Sequence, residues 1–264
     1  MASRLAYEVL ASDLVKIPGG TYRIGSTAGE VNACVRQWAS RLIDPAYNAD
    51  TFREWIAKEY PAHLVRLPAF LIGRFPVTNS EFISYVAATH SRKPESIVVG
   101  EPSDHPVWGV TLDEATSYAT WLSDQLGTSL RLPSEAEWET AARGPSCYEY
   151  PFGNEFDCTR CNTLEARIGR TTAVDQYSNG VSGFGVYDLA GNVEEWVTDR
   201  YIPYPGGRLV DDDLSRELGP AYPILRGGSF ACGGDLARCA RRHGQLPRPL
   251  FRFSGFRLAS DSAA

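Results

Sequence analysis

The stretch Gly185-Val-Tyr-Asp-Leu-Ala-Gly-Asn-Val-Glu-Glu-Trp196 sets two acids, Asp188 and Glu195, seven positions apart around Gly191. Calcium takes about six to eight oxygen ligands, and a tight glycine-bearing loop can turn two carboxylates and the carbonyls between them toward one point. A capped turn with solvated acids is the competing reading. The wider segment from Gly144 to Ala259 breaks into short apolar pieces punctuated by Gly, Asn and Pro, and predicts no helix longer than a turn or two.

N-terminal to it, regular structure is better marked. Thr78 with Glu81, Thr111 with Glu114 and Ser134 with Glu137 each place a glutamate three residues after a hydroxyl, the pattern of a reciprocal capping box. Each opens a helix-period pattern: Phe82, Tyr85 and Val86 in the first; Ala115, Tyr118, Ala119 and Leu122, ended by Gly127, in the second; Trp138, Ala141 and Ala142, ended by Gly144, in the third. Ala28 to Tyr60 has room for one or two amphipathic helices. Val15 to Ile24 reads as a hairpin opening around Pro18-Gly19-Gly20, and His63 to Arg74 as one strand.

At 264 residues the chain suits one large domain, and no repeat, low-complexity tract or linker divides it. We expect a single domain over 1–264, with 15–260 as its core and 226–258 as a C-terminal loop. Twenty-six basic against 32 acidic residues argue against general affinity for nucleic acid. The arginines are unevenly spread: Arg226, Arg238, Arg241, Arg242, Arg248, Arg252 and Arg257 share their segment with one acid, Asp235. They form either a basic surface or a set of pairs with distant acids. Met1 to Leu14 has no apolar run after a basic start, and no stretch approaches the ~18 apolar residues of a membrane span, so a cytoplasmic protein with mostly reduced cysteines is expected.

Five segments in order resemble the formylglycine-generating-enzyme, or sulfatase-modifying-factor, family. They are Ile17-Pro-Gly-Gly-Thr-Tyr-Arg-Ile-Gly25; Phe75-Pro-Val-Thr-Asn79; Arg131-Leu-Pro-Ser-Glu-Ala-Glu-Trp-Glu139 with Ala141-Ala-Arg-Gly144; the stretch from Gly185 to Trp196; and Leu225-Arg-Gly-Gly-Ser-Phe230 with Gly255-Phe-Arg-Leu258. The resemblance implies an α+β, C-type-lectin-like fold, loop-rich, with few short helices and small antiparallel sheets. It also implies structural calcium, held by the side chains of Asp188 and Glu195 and the carbonyls of Gly191 and Val193. A second calcium site would map to Asn162, Thr163 and Ile168; the acid expected near 166 falls on Ala166, with Glu165 beside it.

Oxidases of this family hold copper between two thiolates near the C-terminus. The first maps to Cys232, with Ser229 beside it; the second falls on Ala237. Soft sulfur donors suit Cu(I), and one cysteine does not supply a two-coordinate site. Counting back from Gly255, Cys239 aligns with a cysteine that forms a structural disulfide in the family, whose partner position is Ala142. Cys158-Thr-Arg-Cys161 has half-zinc-knuckle or redox spacing, but a turn with inward-packed cysteines explains it equally. The four histidines lack metal-ligand spacing, and no GxSxG elbow, phosphate loop or zinc-protease signature is present.

The family also resembles ligand-binding variable proteins diversified by retroelements. Apart from Gln245, every residue from Phe230 to Ser254 belongs to the set that adenine-directed mutation of Asn codons produces, although ordinary loop residues read the same way. Leu250, Phe251, Phe253, His243 and the arginines make a surface suited to anchoring a partner. The expectation is therefore a domain binding a protein or a small molecule, without copper, through Phe230, Ala231, Cys232, Gly233, Arg241, His243, Arg252 and Phe253. The alternative is a copper-dependent oxidoreductase that converts a sulfatase cysteine to formylglycine through Cys232 and Ser229.

Overall fold

In the computed structural model, residues 13–42 and 48–261 are described, excepting the Leu250 side chain; residues 1–12, on which the targeting expectation rests, lie outside them. The segment expected to open as a hairpin instead forms two strands in different sheets: β1 (Leu14–Ile17) and β2 (Gly20–Ile24). The single strand expected at 63–74 is likewise two, β3 (His63–Leu67) and β4 (Phe70–Gly73). β2 pairs antiparallel with β3 and β1 with β4, so Pro18-Gly19 and Pro68-Ala69 break both partners at one level. Proline cannot donate to a ladder, and a Cβ on Gly19 would meet the Ala69 nitrogen at 2.9 Å, so this crossing needs glycine.

The helices are α1 (Ala28–Trp38), α2 (Ala49–Ala57), α3 (Asn79–Thr89), the single turn α4 (Glu95–Val98), α5 (Leu112–Leu126), α6 (Glu135–Arg143) and α7 (Asp213–Leu218). The three expected capping boxes all close reciprocally, at α3, α5 and α6. A fourth, Thr27 with Glu30, opens α1. Gly127 ends α5 at φ 64 and Gly144 ends α6 at φ 62, a region that side-chain-bearing residues rarely adopt.

The remaining strands are β5 (Glu194–Arg200), β6 (Pro223–Arg226), β7 (Ser254–Gly255) and β8 (Ala259–Asp261). β8 completes the sheet β1-β4-β8, and β5 sits between β6 and β7. The β5–β7 pairing is parallel, the exception to the antiparallel expectation. Apolar burial falls into three clusters. Phe82 of α3 stacks on Tyr118 of α5, with Tyr85 and Phe256 edge-on to both; Trp138 of α6 packs with Val197, Tyr201 and Cys239; and Trp38, Phe52 and Ile56 join α1 to α2. No described helix is long and apolar enough to cross a membrane.

The basic surface read into the C-terminal segment is not there. Arg226, Arg238, Arg241, Arg242 and Arg257 are each at most 3% exposed. Arg226 bridges Glu135 (2.8 Å) and Glu139 (2.6 Å); Arg242 also holds Glu135 (2.7 Å); Arg238 forks onto Glu59 (2.8 Å); Arg257 forks onto Glu195 (2.6 Å). A guanidinium matches a carboxylate two bonds at a time, so each acid neutralises its arginine where water is excluded. Removing one partner of such a pair strands the other. We expect Glu139→Ala to cost about 3–5 kcal/mol, against about 1 kcal/mol for the cap deletion Ser134→Ala, both read from urea-unfolding midpoints.

Candidate functional site

The chain leaves β6 through Gly227 and Gly228, at φ 89 and 68, and a Cβ on Gly227 would press the Trp138 ring at 3.1 Å. This turn delivers Cys232 to the wall of a cavity of about 110 Å³. Cys232 and Gly233, then Asp235, Arg241 and His243, with Arg41 and Asp213 from other segments, supply its polar wall; Leu42, Trp55, Leu214, Leu236, Leu246 and Phe251 supply the apolar one. Of the expected ligand residues, Cys232, Gly233, Arg241 and His243 therefore converge. Ala231 is half-buried beside them.

The other three converge elsewhere. The Phe230 ring lies 4.3 Å from Phe253, which meets Trp108 at 4.9 Å, and Arg252 lies over Phe253 and pairs with Glu95 at 2.8 Å. Phe230, Arg252 and Phe253 do not line the cavity; Asp235, Trp55 and Leu246, not singled out from sequence, do. Asp235 was visible as the lone acid among seven arginines. Trp55 and Leu42 come from the first quarter of the chain and carry no local signal of the role.

His243 is fixed by two backbone bonds to Leu225 (2.9 and 3.2 Å), and its Nδ1 lies 2.8 Å from Glu194 Oε1 on β5. That contact occupies one ring nitrogen and leaves Nε2 as the other polar atom of the ring. Cys232 Sγ is 3.3 Å from Ser229 Oγ. Burial pushes the Cys232 thiol far up, the Glu194 charge pushes the same way, and the Ser229 contact opposes only in part. At neutral pH this is a thiol wall rather than a thiolate nucleophile. Burial also lifts Asp235, to about 6, against the pull of Arg241, Arg238 and His243.

Cys239 stands apart from this wall, in the apolar cluster that contains Trp138, Ala141 and Ala142, and Ala237 is buried in the cluster of Trp38 and Phe52. Cys161 is buried with its thiol 3.6 Å from the Asp157 carbonyl, and Cys158 is half-buried.

The two expected calcium segments touch. Asn162 bridges Gly191 in parallel, and a Cβ on Gly191 (φ 79) would overlap the Asn162 carbonyl oxygen at 2.1 Å. Asp188 (φ 53) is buried and accepts from Asn192 Nδ2 at 2.8 Å. Burial raises its carboxyl to about 7, with the charges of Glu195 and Asp175 adding to the rise. Asn162 Oδ1 is buried without a hydrogen-bond partner. Glu195, expected to turn its carboxylate toward the same point as Asp188, instead gives both oxygens to Arg257, and Trp138 Nε1 donates to it as well (2.8 Å). Three of about four lone-pair directions are thereby used. In the second segment Thr163 Oγ1 donates to Glu165 (2.7 Å), whose other oxygen takes the Gly234 N–H (3.0 Å); Ile168 is 40% exposed.

Short helices, small sheets and long irregular segments around a C-terminal cavity define a C-type-lectin-like domain of the formylglycine-generating-enzyme type. Residues 5–262 match the Sulfatase-modifying factor enzyme 1-like domain family. The formylglycine-generating enzyme of Thermomonospora curvata is 30% identical, over 98% of this chain and 96% of that protein. The serine/threonine-protein kinase Pkn1 of Chlamydia trachomatis is 36% identical over 77% of this chain, which spans only 35% of the kinase's length. Among solved structures, PvdO from Pseudomonas aeruginosa superposes with a TM-score of 0.69 at 25% identity, over 94% of each chain. The chain belongs to the sulfatase-modifying-factor family.

Burial orders the thiols. In the native protein at neutral pH, iodoacetamide should label the half-buried Cys147 and Cys158 well before Cys34, Cys161, Cys232 and Cys239, as read by peptide mass spectrometry. Early labelling of Cys232 would contradict its placement.

Proposed function

We propose that this chain is a ligand-binding member of its family, and that the cavity beside Cys232 takes a small molecule or a partner's side chain without copper chemistry. The observation that carries this reading is the single sulfur on the cavity wall. Cys239 lies in the cluster with Ala142, and Ala237 offers only a methyl group, so the donor set does not fit a two-thiolate Cu(I) site. What remains is a small concave site with apolar walls and a few convergent polar groups, the usual form of a binding pocket.

The competing reading, an oxygen-dependent oxidase acting on a sulfatase cysteine through Cys232 with Ser229 beside it, is favoured by the near-complete coverage of the Thermomonospora enzyme. Copper(I) titration and oxygen-dependent turnover of a sulfatase-motif peptide separate the two. We expect no saturable Cu(I) site that depends on Cys232 and no turnover; robust turnover abolished by Cys232→Ser would decide for the oxidase.

We further propose structural calcium at Asp188, with the carbonyls of Gly191 and Val193 and the unpartnered Oδ1 of Asn162 as companions. Burial lifts this carboxyl more than Asn192 and the Arg257 charge lower it, and a cation would supply the stabilisation that they do not. The sign of the linkage follows. In chelator the folded Asp188 binds its proton up to about 7 while the unfolded one releases it near 3.8, so stability should fall as pH rises through that window. Asp235, lifted to about 6, adds to the same slope. Calcium should raise the melting temperature and flatten the slope, and Asp188→Asn should remove the calcium response. An unchanged melting temperature in calcium and in chelator would discard the site.

A further inference from the structure

Arg241 and Asp235 face each other across the cavity wall without meeting. Arg241 Nε lies 4.0 Å from Asp235 Oδ2, beyond hydrogen-bond range. Arg241 is 3% exposed, and its Nη1 is spent on the carbonyls of Arg242 (2.9 Å) and Trp55 (3.4 Å), while its Nε–H is buried with no acceptor. No hydrogen bond to the Asp235 carboxylate forms among the described residues. A buried donor without an acceptor is costly, and beside it stands a half-buried carboxylate, 13% exposed, that does not reach it; a group between them would answer both.

We propose that these two residues clamp a primary carboxamide, its C=O accepting from Arg241 Nε–H and its N–H donating to Asp235. The inference rests on the cavity being a ligand site and names the chemical class it selects. A carboxylate would satisfy Arg241 but be repelled by Asp235; an ammonium would satisfy Asp235 but be repelled by Arg241. A neutral group with donor and acceptor on one edge satisfies both, as the carboxamide of Asn or Gln does. A trans secondary amide points its N–H and C=O in opposite directions and cannot bridge the pair. The apolar wall of Trp55, Leu214, Leu246 and Phe251, in a space of about 110 Å³, fits a short alkyl tail on that amide.

The test uses the whole chain, ¹⁵N-labelled, titrated by NMR with four ligands of one size: propionamide, propionate, propylamine and N-methylacetamide. Propionamide should bind, shifting the Gly233 amide and the Trp55 indole, and the other three should bind at least about tenfold more weakly. Asp235→Ala should weaken propionamide about tenfold while leaving xenon, an apolar probe of the same cavity, unaffected. Propionate or N-methylacetamide binding as well as propionamide would overturn the clamp, and the ligand series on the unmodified chain decides this even if the variant fails to fold. Xenon binding without propionamide binding would sink the clamp and leave the cavity standing. Neither probe binding would remove both.

Discussion

Arg226 and its two glutamates tie the end of β6 to α6 across about 90 positions of sequence. Glu135 and Glu139 lie one turn apart on α6, on the face that packs beneath β6, and Arg226 ends β6 with its guanidinium between them. Glu139 is also held by Arg143 (2.7 Å) and takes the Gly25 N–H (2.8 Å); Glu135 is also held by Arg242. Burial alone would lift Glu139, but Arg143 and Arg226 hold its carboxyl below the usual range. Glu139 is therefore ionised inside the protein, and the cost of burying the cluster is offset because three arginines, Arg143, Arg226 and Arg242, share its two carboxylates through hydrogen bonds. Long irregular segments bury little continuous apolar surface. Fixing them with directional pairs gives them one arrangement where hydrophobic contact would allow several.

The same pairing decides what chemistry the cavity retains. Five of the seven C-terminal arginines point inward, and Arg226, Arg238, Arg242 and Arg257 are spent on glutamates at hydrogen-bond distance. Arg241 is different: its nearest acid stands at 4.0 Å. With His243 tied to Glu194 and Cys232 protonated by burial, the polarity that the C-terminal loop brings to the cavity is that of Arg241, Asp235 and the second imidazole nitrogen, faced by Arg41 and Asp213 from other segments. A segment that is strongly basic in sequence thus presents a nearly balanced wall in space.

What could be read from sequence follows the range of the interaction. The capping boxes are local, closed within three residues, and the three predicted ones are present; the box at Thr27 obeys the same spacing. The arginine pairs are the opposite case. Arg238 and Glu59 are 179 positions apart, and nothing near either residue says that it is paired. Pro18-Gly19 misleads for a similar reason, since a local turn signal cannot tell a hairpin from a strand that changes sheets. Cys232, Gly233, Arg241 and His243 were legible because one loop carries them. The apolar residues that reach them from distant segments, Leu42, Trp55 and Leu214, were not.

The cavity wall and the acidic loop that opened the sequence reading are mechanically one piece. Gly191 N donates to Gly227 O (2.8 Å), Phe230 N to Asn192 O (3.1 Å), Leu164 N to Cys232 O (2.9 Å), and Gly234 N to Glu165 (3.0 Å). The turn that positions Ser229 and Cys232 is thus hung from the 162–165 and 188–193 segments, which in turn interlock through the two asparagines, Asn162 and Asn192. Asp188 sits at the foot of this arrangement, its carboxyl lifted by burial to about 7. The segment around Asp188 and the loop that carries Cys232 are therefore two ends of one hydrogen-bonded unit, and neither can shift without straining the bonds that join them.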